Sequence, residues 1–111
     1  MRRFFVYYRY LLEHGQSYAN VMLTDVRDVL FQSNPLGLEV ADELQCFLED
    51  ARLTLGTERH NRKWLQTAFG DVVAEELTEA PIVCAGVTIG PRGIMLEYLK
   101  VMVKFLLRLP E

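Results

Sequence analysis

The sequence predicts an α/β protein, and three features carry that expectation. Apolar residues recur at helical spacing over residues 3–14, 58–69 and 92–107. Short apolar runs of strand length fall at 21–24, 44–48 and 81–90, bounded by polar residues, Gly or Pro. The two kinds of stretch alternate along the chain, the pattern of α/β domains rather than of separate helical and sheet layers.

Taken in order, residues 3–14 place Phe4, Tyr8, Leu11 and Leu12 at i, i+4, i+7 and i+8, widened by Phe5 and Tyr7. Gly15 is positioned to end that helix. Val21 to Thr24 reads as a buried strand, and Val29 to Gln32 as a second extended piece beyond Asp25 and Asp28. Ser33-Asn34-Pro35 with Gly37 forms a turn cluster. Leu44 to Leu48 is a strand ending in Glu49-Asp50, and Leu53 to Leu55 a short edge strand before Gly56. Residues 58–69 form a helix with Trp64, Leu65, Ala68 and Phe69 turned inward. Gly70 breaks it, and Asp71 is placed to cap a further helix through Leu77. Pro81 to Gly90 is a continuous apolar strand. The last helix, 92–107, carries Ile94, Tyr98, Leu99, Met102 and Leu106 on one face, with Met95 also in its core. Pro110 lies past its end. The strands read as buried on both faces.

The chain has 111 residues, enough for one domain and one core. Twelve basic against 15 acidic residues give a net charge of −3. With the basic residues scattered apart from Arg59, Arg62 and Lys63, this argues against nucleic-acid binding, which depends on clustered Lys and Arg. No run reaches the roughly 18 apolar residues of a membrane span. Arg9 interrupts the signal-like opening, so the expectation is a soluble, cytoplasmic protein. The two cysteines, Cys46 and Cys84, sit in apolar runs and read as buried reduced thiols, without zinc-ligand spacing. His14 and His60 read as surface residues. A mean hydropathy of +0.07 is apolar for a small domain and points to a surface that expects a neighbour.

The most chemically loaded stretch is VMLTDVRDVLFQSNP, residues 21–35, with Asp25 and Asp28 at a strand exit. On an extended strand the two carboxylates would face opposite ways. If the chain turns after Thr24 they can converge on a hard divalent cation, which takes oxygen ligands and neutralises phosphate charge. Taken alone, these residues favour a turn whose aspartates bond their own backbone.

The block LTDVRDVLFQSNP resembles the aspartate motif of GT-A-type glycosyltransferases. More narrowly, it resembles glycosyltransferase-like proteins with a T-D-V-R-D-V-x-F-Q block. The resemblance continues in RFFVYYRYLLEH, CFLED, NRKWLQTAFG and IVCAGVTIGPRGIMLEYLKVM, and so covers nearly the whole chain in order. It implies a partial Rossmann-like GT-A mixed sheet packed by helices and lacking the first nucleotide-binding βα unit. It also implies transfer of a sugar from a nucleotide-diphosphate sugar donor to an unknown acceptor, with Mn²⁺ or Mg²⁺. On this resemblance Asp28 would be the direct metal ligand and Asp25 would bind the metal through water or lie near the ribose. Arg27 would contact the diphosphate or pair with a carboxylate, and Ala85, Gly86 and Val87 would face the sugar. Glu49 or Asp50 would activate the acceptor.

The chain departs from the family pattern in its D-x-x-D spacing, where the family has D-x-D. Two other readings stay open. One is a non-catalytic subunit of the same fold, acting as a homo-oligomer or with a partner chain covering the missing half. The other is an aspartate-nucleophile phosphatase. That chemistry needs an acid two residues after the first, where this chain has Arg27.

Overall fold

The structure, a computed structural model, describes residues 2–27, 29–35 and 42–108. Its elements run α1 (Arg3–His14), a 3₁₀ turn (Gly15–Ser17), β1 (Asn20–Thr24), β2 (Gln45–Leu48), α2 (Arg59–Phe69), α3 (Asp71–Glu76), β3 (Val83–Pro91) and α4 (Arg92–Leu106). The α/β expectation holds. The sheet has three strands in the order β1-β3-β2. It is antiparallel rather than mixed. Asn20 pairs with Pro91 and Thr24 with Val87, with the intervening residues in register.

The antiparallel arrangement also corrects the expectation of strands buried on both faces. β1 is half-buried over Val21–Thr24, and in β2 Cys46, Phe47 and Leu48 are exposed. An antiparallel sheet can leave one face to solvent, whereas helices on both sides are a feature of parallel sheets. Val29–Gln32 is not a strand, and the Leu53–Leu55 piece reduces to one bridge, Thr54 with Pro81. The turn cluster is described only as far as Pro35; Gly37 lies outside the described residues, as do Asp28 and Pro110.

By its packing the chain divides into two units. The first comprises Met1–Cys46 and Ala85–Leu109. Its centre is Leu11 of α1 against Met95 and Leu99 of α4, with Phe4, Tyr7, Tyr8, Val21, Leu23 and Tyr98 around them. Leu11, Tyr7 and Phe4 recur at helical spacing, as do Met95 and Leu99, so the two helices meet along matching stripes. β1 alternates by strand geometry and sends Val21 and Leu23 to that cluster. α1 ends where the Gly15 N–H donates to the Leu11 carbonyl and the Gln16 amide donates to the Leu12 carbonyl at 2.7 Å. β3 passes into α4 without a loop, and the Arg92 N–H donates to the Ala19 carbonyl at 3.0 Å.

The second unit comprises Phe47–Cys84 with Pro110–Glu111. Its buried apolar residues are Ala74 and Ile82, and hydrogen bonding shapes much of the rest. The Thr54 N–H donates to the Thr57 hydroxyl at 2.8 Å, and the Glu58 N–H to the Thr54 carbonyl at 3.0 Å, which sets the entry to α2. Glu58 caps α2: its Oε2 accepts from the Asn61 N–H at 2.7 Å. Gly70, at φ 85°, separates α2 from α3 in a backbone region that side chains disfavour. Asp71 does not cap α3; its carboxylate accepts instead from Gln66 at 3.1 Å. Trp64 is 65% exposed and Phe69 46%, so α2 does not turn either ring inward as its spacing suggests. Leu65 and Ala68 are half-buried.

Candidate functional site

The candidate site lies in the first unit, at the end of β1. The ladder with β3 continues one step past Thr24, because the Asp25 N–H donates to the Gly86 carbonyl at 2.9 Å. The Thr24 hydroxyl donates to the Asp25 carbonyl at 3.0 Å. Val87 stands opposite Thr24. The fold therefore brings together Asp25 and the Ala85-Gly86-Val87 backbone, four of the residues singled out in the sequence.

The Asp25 carboxylate is held by Arg3, whose Nη1 donates to Oδ1 at 2.6 Å. The same guanidinium reaches the Ala85 carbonyl at 3.4 Å and lies 5.3 Å from the centre of the Phe4 ring. Both partners remain partly in water, at 40% and 44% side-chain exposure, so the pair is worth about 1 kcal/mol or less. Arg27, assigned by the resemblance to a phosphate or a carboxylate, is exposed. The carboxylate partner at this end is Arg3, a residue that the sequence reading passed over. No local signal marks it, because the pair spans 22 residues and forms only when α1 packs beside β1.

Below the pair lies a pocket of about 10 Å³ lined by Arg3, Phe4, Tyr7, Leu23, Thr24, Asp25, Ala85 and Thr88. That is room for one water-sized group at most. Thr88 is buried, and it bonds the Tyr98 hydroxyl. Burial raises the Tyr98 pKa above its ordinary value of 10, and the bond from Thr88 opposes that shift. A much larger open groove of about 740 Å³ follows all of β1, lined also by Val6, Tyr7, Tyr10, Tyr18, Val26 and Pro35. Its walls are mostly apolar. The Tyr10 and Tyr18 hydroxyls lie 3.3 Å apart, which raises the Tyr18 pKa.

Asp28, the metal ligand that the resemblance names first, lies outside the described residues. Among the described residues no three His, Cys, Asp or Glu side chains gather as a metal set. Asp25 itself faces a guanidinium, so the described residues alone do not form a divalent-cation site.

Glu49 and Asp50 belong to the second unit and are exposed. The Glu49 N–H donates to the Ile82 carbonyl at 2.9 Å, extending the strand pairing past β2. Asp50 is gripped by Arg52, with Nη2 to Oδ2 at 2.5 Å and Nε to Oδ1 at 2.9 Å. The Arg52 bonds hold the Asp50 pKa below its ordinary value, which weakens it as a proton acceptor. His14 and His60 are exposed, as expected. The cysteines depart from expectation: Cys46 is exposed and Cys84 half-buried.

The class this architecture defines is a small α/β protein with a three-stranded antiparallel sheet. No family model, curated protein or solved structure matches the chain. Among the described residues no helix is long and apolar enough to cross a membrane.

Proposed function

We propose that this chain is a glycosyltransferase-like domain, GT-A in type, that binds a nucleotide-diphosphate sugar at the end of β1. One observation supports the reading above the others. Asp25 and Gly86 belong to two separate blocks of the resemblance, and a backbone hydrogen bond of 2.9 Å makes them neighbours. Convergence of blocks so distant in sequence is what a donor site built from both requires. In this reading Asp28 and Asp25 take Mn²⁺ or Mg²⁺, and the bound cation supplies charge neutralisation at the diphosphate. The glycine-bearing backbone of Ala85-Gly86-Val87 lies against the sugar. Glu49 is the better acceptor-activating base, because Asp50 is tied to Arg52.

The experiment is calorimetric titration with a panel of uridine and guanosine diphosphate sugars, with and without Mn²⁺. The expected result is Mn²⁺-dependent binding that Asp28→Asn abolishes and Asp25→Asn weakens. Equal binding by wild type and Asp28→Asn rules out the metal role.

A second reading, association through apolar surface, has its own observation. The groove along β1 is apolar and open, and Val26, Leu30 and Phe31 beyond the strand are 88%, 84% and 53% exposed. Surfaces of this kind mark contact sites. Light scattering tests it: a homo-oligomer or a captured subunit supports association, and a monodisperse monomer at high concentration rejects it.

A further inference from the structure

In the order β1-β3-β2, β1 is an edge strand, with β3 on one side and no strand on the other among the described residues. The hydrogen bonds show which of its backbone groups are taken. The Arg92 N–H donates to the Ala19 carbonyl at one end of the ladder, and the Asp25 N–H to the Gly86 carbonyl at the other. Bonded residues alternate along an antiparallel strand, so Ala19, Val21, Leu23 and Asp25 bond towards β3. The N–H and carbonyl groups of Asn20, Met22 and Thr24 therefore point outward, without a backbone partner among the described residues. Edges of this kind are commonly guarded by Lys, Pro or a bulge. Asn-Val-Met-Leu-Thr carries neither residue, and its register with β3 is unbroken.

Three N–H and three carbonyl groups at every second residue match another extended backbone. The surroundings select which one. Among the described residues no charged side chain lines the apolar groove beside this edge. A two-fold contact turns one surface against itself, and an uncharged surface does so without opposing like charges. The register is self-complementary as well. With Met22 opposite Met22 of a second copy, each Asn20 falls opposite a Thr24, and every outward group of both strands is paired. α1 packs on the sheet face to which Val21 and Leu23 point. A two-fold axis at Met22, normal to the sheet, keeps α1 of both copies on that face. The groove walls then close on each other, with Val6, Tyr10 and Tyr18 at 62%, 51% and 41% exposure. The two tyrosines offer roughly 200 Å² per copy, against about 800 Å² per partner in a standard interface, so the dimer is weak and reversible.

We propose that β1 pairs antiparallel, edge to edge, with β1 of a second copy across a two-fold axis at Met22. The pairing rests on the association reading, for which it names the partner and the contact. It does not use the glycosyltransferase reading.

Sedimentation velocity of the full chain from about 1 μM to 1 mM should show a reversible monomer–dimer equilibrium. Met22→Lys and Met22→Glu each set like charges against each other on the axis, so each alone should associate about tenfold or more weakly than wild type. Their equimolar mixture should recover the dimer, because opposite charges then meet. Circular dichroism checks that each variant is folded. Amide exchange in the wild type reads the same edge without any substitution, and it decides alone where a variant does not fold. The N–H groups of Asn20, Met22 and Thr24 should slow as the dimer forms, whereas those of Val21 and Leu23 are slow throughout. A monomer over the whole range overturns the association reading and this pairing together. Other results overturn the pairing while association stands: a dimer that both folded variants keep at wild-type strength, a mixture that stays monomeric, or a dimer whose three edge amides still exchange fast. Edge amides already protected in the dilute monomer also overturn it, because the chain's own backbone then covers the edge.

Discussion

The two units of the chain are held by different forces. The first is built on burial: Met95 and Leu99 are completely shielded and Leu11 is 3% exposed, where α1 and α4 share one apolar seam. The second buries fewer apolar side chains among the described residues, Ala74 at 5% and Ile82 at 4% exposure, and holds its shape through caps, turns and one bridge. Burial is non-directional and scales with apolar area, whereas caps and turns act through specific atoms and small energies. The first unit should therefore be vulnerable to lost volume, and the second to backbone crowding and pH.

The largest effect is expected at the seam. Leu99→Ala should cost about 2–5 kcal/mol, read from urea unfolding, because it leaves a cavity where no exposed group can relax into it. In the second unit, Gly56→Ala should cost about 1–3 kcal/mol. A Cβ there would strike the Thr78 side chain and come within 2.9 Å of the Thr78 carbonyl oxygen, to which the Gly56 N–H is bonded. A larger loss from Gly56→Ala than from Leu99→Ala would break the contrast between the units.

Acid sharpens the same contrast. Glu58 titrates at about 2 in the folded chain against an ordinary 4.5, because the Asn61 and His60 N–H groups bind its ionised form. A lowered carboxylate pKa stabilises the fold above pH 4.5, and that contribution fades as the pH falls from 4.5 towards 2. Thermal melts from pH 6 to pH 2 should show wild type losing an increment that Glu58→Gln lacks, with the two curves converging near pH 2. Parallel curves would show that the cap contributes nothing. The smallest effect is expected at the surface pair: Arg3→Ala should change stability by about 1 kcal/mol or less, and by less still in high salt.

What was legible in the sequence follows the same division. α1, α4, β1 and β3 were readable because burial imposes a period, as Leu11, Met95 and Leu99 show. The piece at Val29–Gln32 has strand composition, but it did not become a strand. The period placed Trp64 and Phe69 inward on α2, yet the described structure leaves both rings in solvent. At the site, Asp25 and its glycine-bearing neighbour were legible as motifs. Arg3 was not, because a charge pair across α1 and β1 leaves no trace in local spacing. The antiparallel direction of the sheet was equally hidden, since apolar strands read alike in either direction.

The Arg3–Asp25 pair makes the end of β1 an ion-exchange position. A metal or a substrate amine that takes the carboxylate must displace a guanidinium already in place, so its apparent affinity is discounted by the strength of that pair. Removing the competitor lifts the discount. If the proposed donor site is right, Arg3→Ala should bind a cation at Asp25 more tightly than wild type does, although it deletes a positively charged residue from the helix beside the proposed diphosphate position. Cation affinity and nucleotide affinity, both proposed, would then move in opposite directions in a single variant, which tests the two parts of the proposal without touching either aspartate.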